Sequence, residues 1–281
     1  MFCSIKPEGH SRSMQHSFWY YSFVFFGLML AGYFLVVGSL YWLLYSALEQ
    51  MLETRKLHRL PPTQQGIRRD IELTIVSVIV FALSAAIILF LFNTGTTLIY
   101  VDLEPGQVWY GAVSFAAVIL LQDAYFYFTH RALHHPRLFK RLHHGHHQSG
   151  DPTPWTSFAF DLLDAIVQAI FLVGVVFIIP LHLITLVAVL MTMTIASLVH
   201  HLGFEPLPAS SSYHWLRKWV IDSTHHAIHH RKYKVHYGLY FTFWDRWLGT
   251  QDPNYEYQIR STHIQSSLNN QSRQTYSHDG F

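Results

Sequence analysis

Of the 21 histidines in this chain, 16 fall between His130 and His236, and they recur at helical spacing. In HRALH, His130 and His134 stand four apart; in HHGHH, His143, His146 and His147 stand at i, i+3 and i+4; in HAIHH, His226, His229 and His230 repeat that pattern. Residues so spaced share one side of a helix, so each cluster predicts a helical face lined with imidazole. A His-rich surface loop explains one such cluster but not three. Eight imidazoles facing a common volume repel protons and one another unless a cation holds them neutral, which makes a metal the economical reading. His201, at the end of a later apolar stretch, is a ninth candidate ligand, in competition with its neighbour His200.

Nine nitrogens exceed the needs of one ion, because tetrahedral zinc takes four ligands and octahedral iron six, so two ions is the natural count. Imidazole suits iron, zinc, copper and nickel alike, and spacing does not name the element. The single cysteine, Cys3, excludes an intrachain disulfide, a cysteine-rich zinc site and a Cys-ligated iron–sulfur cluster. No HExxH is present to give a zinc protease its general base. Metal-bound imidazoles donate their second N–H to a carboxylate or carbonyl, so Asp222, four residues before His226, and Asp123, seven before His130, are candidate supports. Asp222 reads equally as a helix N-cap. His135, His144 and His225 adjoin ligand candidates but fall off their faces, which gives them supporting or solvent-facing places; His182 and His214 read as structural.

The elements that carry these residues are built for lipid. Half of the chain is hydrophobic (51%) and only 13% is charged, against about a quarter in soluble proteins. Three apolar stretches, Phe18 to Leu48, Ile71 to Phe92 and Val108 to Phe128, reach the length of about 20 residues that a bilayer-spanning helix needs. A fourth, Leu162 to Val199, is nearly twice as long and carries Pro180 in its middle, which predicts a helical hairpin. The first stretch is too long for a signal peptide and reads as a retained anchor. The predicted fold is all-α, a multi-pass membrane helical bundle of three spans plus a hairpin with a histidine-rich helical metal site. Residues 1–107 are expected to form the N-terminal spans and connections, 108–257 the domain that carries the histidine clusters, and 258–281 a polar tail expected to be disordered.

Arg55, Lys56, Arg59, Arg68 and Arg69 crowd the connection after the first span, whereas Asn93 to Gln107 has no Lys or Arg. The positive-inside rule then puts the first connection, and with it every histidine cluster, on the cytoplasmic side. A formal charge of +2 gives no basis for nucleic-acid binding. Asn270-Gln271-Ser272 matches a glycosylation acceptor but falls in the cytoplasmic tail, where the match is accidental.

From Gln122 to Thr250 the chain resembles the fatty acid hydroxylase and sterol desaturase superfamily, whose three histidine boxes read HxxxH, HxxHH and HxxHH; the closing segment resembles the sterol desaturase branch and alkylglycerol monooxygenase. The resemblance implies a cytoplasmic-facing dimetal site on a four-helix membrane base, ligated by the eight box histidines and by His201, which matches the histidine of an HxGxE element. It implies two iron ions, with zinc able to replace them on purification, O2 as co-substrate and a lipid drawn from the bilayer. A sterol is the first substrate class, with C-5 desaturation as the model reaction; fatty acyl, sphingoid and alkylglycerol lipids come next. Asp245 in the closing segment joins the supporting set, and Tyr240 and Trp244 are candidate substrate contacts, although membrane-interface belts also use such rings. His236 stands where the family often has Asn, and FDLLD, with Asp161 and Asp164, replaces an FHPLE-like segment.

No flavin fingerprint, GxGxxG turn or cytochrome b5-like domain is found, so electrons are expected from a separate cytochrome b5 or ferredoxin. Such an enzyme would lie in the endoplasmic reticulum of a eukaryote or the inner membrane of a bacterium. The rival from another class, a membrane metal transporter, should carry its ligands near mid-membrane along a path, whereas these boxes follow the spans.

Overall fold

The computed structural model describes residues 16–58, 61–102, 104, 107–206 and 214–255. Cys3, the 258–281 tail and Asn270-Gln271-Ser272 lie outside the described residues, and of His214 only the backbone is described.

Among the described residues, four helices are long and apolar enough to cross a membrane. The first, α1 (Phe18–Trp42), starts at a Ser17 cap and runs on through a π-helical turn, Leu43–Ala47. A short α2 (Glu49–Leu52) follows, and then α3 (Gln64–Asn93), whose Thr63 hydroxyl accepts the Gly66 N–H. That cap starts α3 well before the apolar stretch at Ile71, so its first two turns, with Arg68, Arg69 and Asp70, extend past the hydrophobic part. Helix α4 (Val108–Leu133) is the third span, and the hairpin follows as α7 (Leu162–Val175) and α8 (Leu183–His200), with Pro180 in the turn as expected. Its arms are unequal, because α7, at 14 residues, is shorter than a span. Large apolar side chains face outward along the bundle, Phe23, Leu35 and Ile178 each more than 70% exposed, as a lipid-facing surface requires.

Helix α1 packs on α3, α3 on α7, and α4 on α8 and α7. At one end, β1 (Ile99–Tyr100) pairs in parallel with β2 (Leu181–His182), tying two turns together. His182 caps α8 there by accepting the Ile184 N–H and also bonds the Val101 carbonyl, a structural place as expected. The opposite end carries the short helices α5 (Pro136–Leu142), α6 (His144–His147), α9 (His214–Arg217), α10 (Ser223–Lys232) and α11 (Phe243–Trp247). The connection between α1 and α3 lies against this end too: the Leu57 and Glu205 N–H groups bond the Gly203 and Arg55 carbonyls, and Tyr45 donates to Leu202. Gly203 sits at φ +72°, and a Cβ there would collide with Tyr45 and His58.

Candidate metal centre

The nine predicted ligands come from four places at this end: His130 and His134 from the end of α4, His143, His146 and His147 from α6 and its cap, His201 from the end of α8, and His226, His229 and His230 from α10. All are buried except His134, which is partly so. They form two groups. His130, His134, His143, His147 and His229 make one, and His146, His201, His226 and His230 the other; within each, the candidate ligand atoms lie within 4.8 Å of one another.

The grouping corrects one expectation, that each HxxHH box presents its histidines on one face to one volume. At 3.6 residues per turn, positions i+3 and i+4 point about 100° apart. His143 and His147 therefore serve the first group while His146 serves the second; His226 and His230 serve the second while His229 crosses to the first. The adjacent His-His pair is what lets one helix feed two sites.

Backbone and carboxylate acceptors fix the rings. Nδ1 of His130 donates to the Tyr237 carbonyl (3.0 Å), His146 to Ala159 (3.1 Å), His201 to Ser197 (2.7 Å), His229 to Val235 (2.7 Å) and His230 to Ser149 (3.0 Å). His143 donates to the Asp164 carboxylate at 2.6 Å. A carbonyl only accepts, so each Nδ1 holds the proton and each neutral ring turns the lone pair of Nε2 inward. Burial pushes the imidazolium pKa of His143 and of His201 down to about 3 and that of His226, His229 and His230 well down, so neutral rings are the stable form near pH 7.

Nε2 of His130 nevertheless lies 3.1 Å from Nε2 of His143. With both protons committed to Nδ1, this is lone pair against lone pair, not a hydrogen bond. His226 Nε2 stands 3.1 Å and 3.0 Å from those of His201 and His230, whose protons are committed to Nδ1, so a single N–H on His226 serves at most one of the two, and buried Nε2 of His134 has no protein partner among the described residues. A cation in each group satisfies all of these atoms. The donor set fits the implied metal pair: four rings would close a tetrahedral zinc site, but five exceed it, which suits a six-coordinate ion with one position left open.

Of the candidate supports, Asp222 takes its alternative place as a helix cap, Asp123 holds no ligand ring and Asp245 acts on one only through the backbone. Asp222 caps α10 by accepting the His225 N–H (2.7 Å) and pairs with Arg217 (3.1 Å); it does not hold His226. Asp123 accepts the Tyr240 and Phe241 N–H groups and so anchors the closing segment to α4 instead of holding His130. Asp245 accepts the Tyr237 and Gly238 N–H groups and thereby sets the Tyr237 carbonyl that orients His130. His225 stacks on His236 (ring centroids 3.7 Å apart), lies against Tyr255 and belongs to neither group. His135 caps α5 and His144 is exposed. His200 is buried beside His226 but belongs to neither group. Tyr240 bonds Gln122 inside an apolar cluster, and Trp244 packs on Tyr127 and Phe128; neither ring touches a ligand imidazole, whereas Tyr237 lies 5.3–5.7 Å from His130, His134 and His229.

Asp164 is the carboxylate that sequence reasoning missed as a ligand support. Its signal was present: an acid in an apolar stretch is costly unless it has a partner. Beside it, Asp161 accepts the Gly145 N–H at 2.7 Å, and a Cβ at position 145 would collide with that carboxylate, which accounts for the glycine inside HHGHH.

The family model for fatty acid hydroxylase matches residues 115–250. A lathosterol oxidase of Homo sapiens is 31% identical over 184 residues, 64% of this chain and 59% of the relative. A Delta(7)-sterol 5(6)-desaturase of Gibberella zeae is 30% identical over 157 residues, 56% of this chain and 47% of the relative, and a lathosterol oxidase of Mus musculus is 33% identical over 134 residues, 48% and 43%. The chain thus spans about half the length of the curated relatives it matches. No solved structure matches it.

Proposed function

We propose, from the match of residues 115–250 to the fatty acid hydroxylase family model, that this membrane protein is an O2-dependent di-iron oxidoreductase that desaturates or hydroxylates a lipid at a C–H bond. The observation that carries the reading is the convergence of nine imidazoles into two adjacent buried groups. A pair of iron ions held there would supply the activation of O2 and the removal of hydrogen from an unactivated carbon.

The chain's own residues do the rest by position. The carbonyls of Tyr237, Ala159, Ser197, Val235 and Ser149 hold five rings in one tautomer, and Asp164 gives the first group a negative charge behind His143. Burial of the groups keeps bulk water from the oxidising chemistry. No separate protein acid or base is assigned.

A sterol is the proposed substrate class, because the relatives are named for oxidation and desaturation of sterols. The cytoplasm is the proposed side of the site, since the connection bearing Arg55 and Lys56 packs against it. Transport is a weaker reading: the ligands lie at helix ends and on short helices outside the spans.

The test is the protein in lipid nanodiscs, loaded anaerobically with iron and supplied with O2 and a one-electron donor. It should hold about two metals per chain. Offered sterols, acyl lipids, sphingolipids and ether lipids, it should convert one class to a product lighter by two hydrogens or heavier by one oxygen. Trace metal only, or full iron with no lipid consumed, would overturn the proposal.

A further inference from the structure

The sequence from His130 to Gly150 contains no acid, and between the first two boxes it places Arg137, Lys140 and Arg141. These three stand at i, i+3 and i+4 on α5, so they fan over an outward arc of about 100°, and all three are exposed. None is in an ion pair among the described residues. Leu138, 40% exposed, supplies an apolar contact beside them.

Phe139 lies about 200° around the helix from Arg137 and points the other way, into the site. Its ring centroid is 5.2 Å from that of His134 and 5.6 Å from that of His147, both in the five-histidine group. Tyr233 lies 5.5 Å from Phe139 and 4.9 Å from His147, and it is 39% exposed. One aromatic ring, Tyr233, thus stands between solvent and His147, with exposed Lys234 beside it, while α5 and its Phe139 cover the imidazoles next to it.

We propose that this basic outer face of α5 docks an acidic one-electron carrier protein. The inference rests on the oxidoreductase reading, which requires outside electrons: a C–H bond, one O2, two electrons and two protons give C–OH and one water, or a CH–CH unit with the same inputs gives C=C and two waters. Each carrier loses one electron, so two docking events serve one turnover, and the protons come from solvent. The positive-inside rule accounts for the sign of the charges on this side, but not for their gathering on the outward face of the helix whose inner face, through Phe139, covers the five-histidine group. Charges around a small apolar contact suit a transient complex that is steered electrostatically and releases quickly.

The test is binding of the soluble cytochrome b5 haem domain, with an acidic ferredoxin as second probe, to the full chain in neutral-lipid nanodiscs. Surface plasmon resonance would be run over a salt series for wild type, for an Arg137→Glu/Lys140→Glu/Arg141→Glu variant, and for Lys218→Glu on another element. The triple variant should lose on the order of tenfold or more in affinity and most of its salt dependence, with iron content and melting unchanged, while Lys218→Glu stays at wild type. Unchanged affinity in the triple variant, or no binding of either probe to wild type, overturns the proposal. So does wild-type affinity that follows the anionic lipid content of the nanodisc and not the α5 charges, which would make this face a headgroup site. Carrier binding that depends on α5 in a chain that oxidises no lipid would retire the oxidoreductase reading and leave the docking face standing.

Discussion

The carboxylate of Asp164 brings a negative charge to a site otherwise built of neutral rings, and at 2.6 Å from Nδ1 of His143 it raises that ring's basicity toward a metal. Asp164→Asn keeps the shape and an acceptor oxygen but removes the charge, so metal retention should fall by roughly 10- to 100-fold, read by titration with a competing chelator. Asp222→Asn should leave metal retention near wild type and lower the melting temperature instead, because Asp222 caps α10 and faces Arg217; equal metal loss in both variants would refute the distinction. Spacing from His226 pointed to Asp222, since sequence shows helical offsets within one element, whereas the bond from His143 to Asp164 crosses between two. His236 gives a pH prediction. Its Nδ1 donates to the His225 carbonyl, its Nε2 accepts the Asp252 N–H, and burial lowers its pKa to about 4. Below about pH 6.5, the ordinary histidine value, the unfolded chain takes up a proton that the folded one refuses, so stability falls with pH down to about 4 and then levels, a loss of about 3 kcal/mol. The backbone here has φ +64°, which Asn tolerates; His236→Asn should fold and remove this part of the acid slope in melting curves of the metal-free protein.

Between elements, α3 holds the second group in place without supplying a ligand. Asp70 accepts the Ser149 and Thr156 hydroxyls, each at 2.7 Å, and the Ser149 carbonyl accepts Nδ1 of His230. The span thus reaches the metal centre through the 148–156 loop. Asp70→Ala should free that loop and weaken the four-histidine group more than the five-histidine group, so about one metal per chain should be lost on dialysis against a mild chelator while helical circular dichroism stays intact. Loss of both metals together, or of neither, would refute the latch. The sequence could not reveal it, because the partners stand 79 and 86 residues apart and Asp70 sits in the polar extension of α3, ahead of the apolar run. Apolar length marks where a helix crosses lipid; it does not mark the turns that project beyond.

At the scale of the molecule, the spans, the hairpin and the three boxes were legible because lipid and metal each impose a strong local pattern: long apolar runs and imidazoles at i, i+3 and i+4. What joins them is not local. The connection after α1, the end of α8 and the loop before α7 meet at one end through Tyr45, His58, Leu202 and Pro152, while β1 and β2 close the other end. This arrangement and the charge asymmetry of the connections make a topology prediction. Cys3 is the single cysteine, so Cys3→Ser gives a background in which one introduced thiol reports one position. Gln65→Cys, at the exposed start of α3, and Asn254→Cys, after α11, should both react with a membrane-impermeant maleimide only from the cytoplasmic side. Asp102→Cys, exposed just after β1, should react only from the opposite side. All three positions lie away from the nine ligands, so labelling can be compared in chains that still hold metal. Gln65 and Asn254 on opposite sides would break the single metal centre built from both halves of the chain; both on the non-cytoplasmic side would keep the centre and reverse its orientation, placing the α5 face out of reach of a cytoplasmic electron carrier.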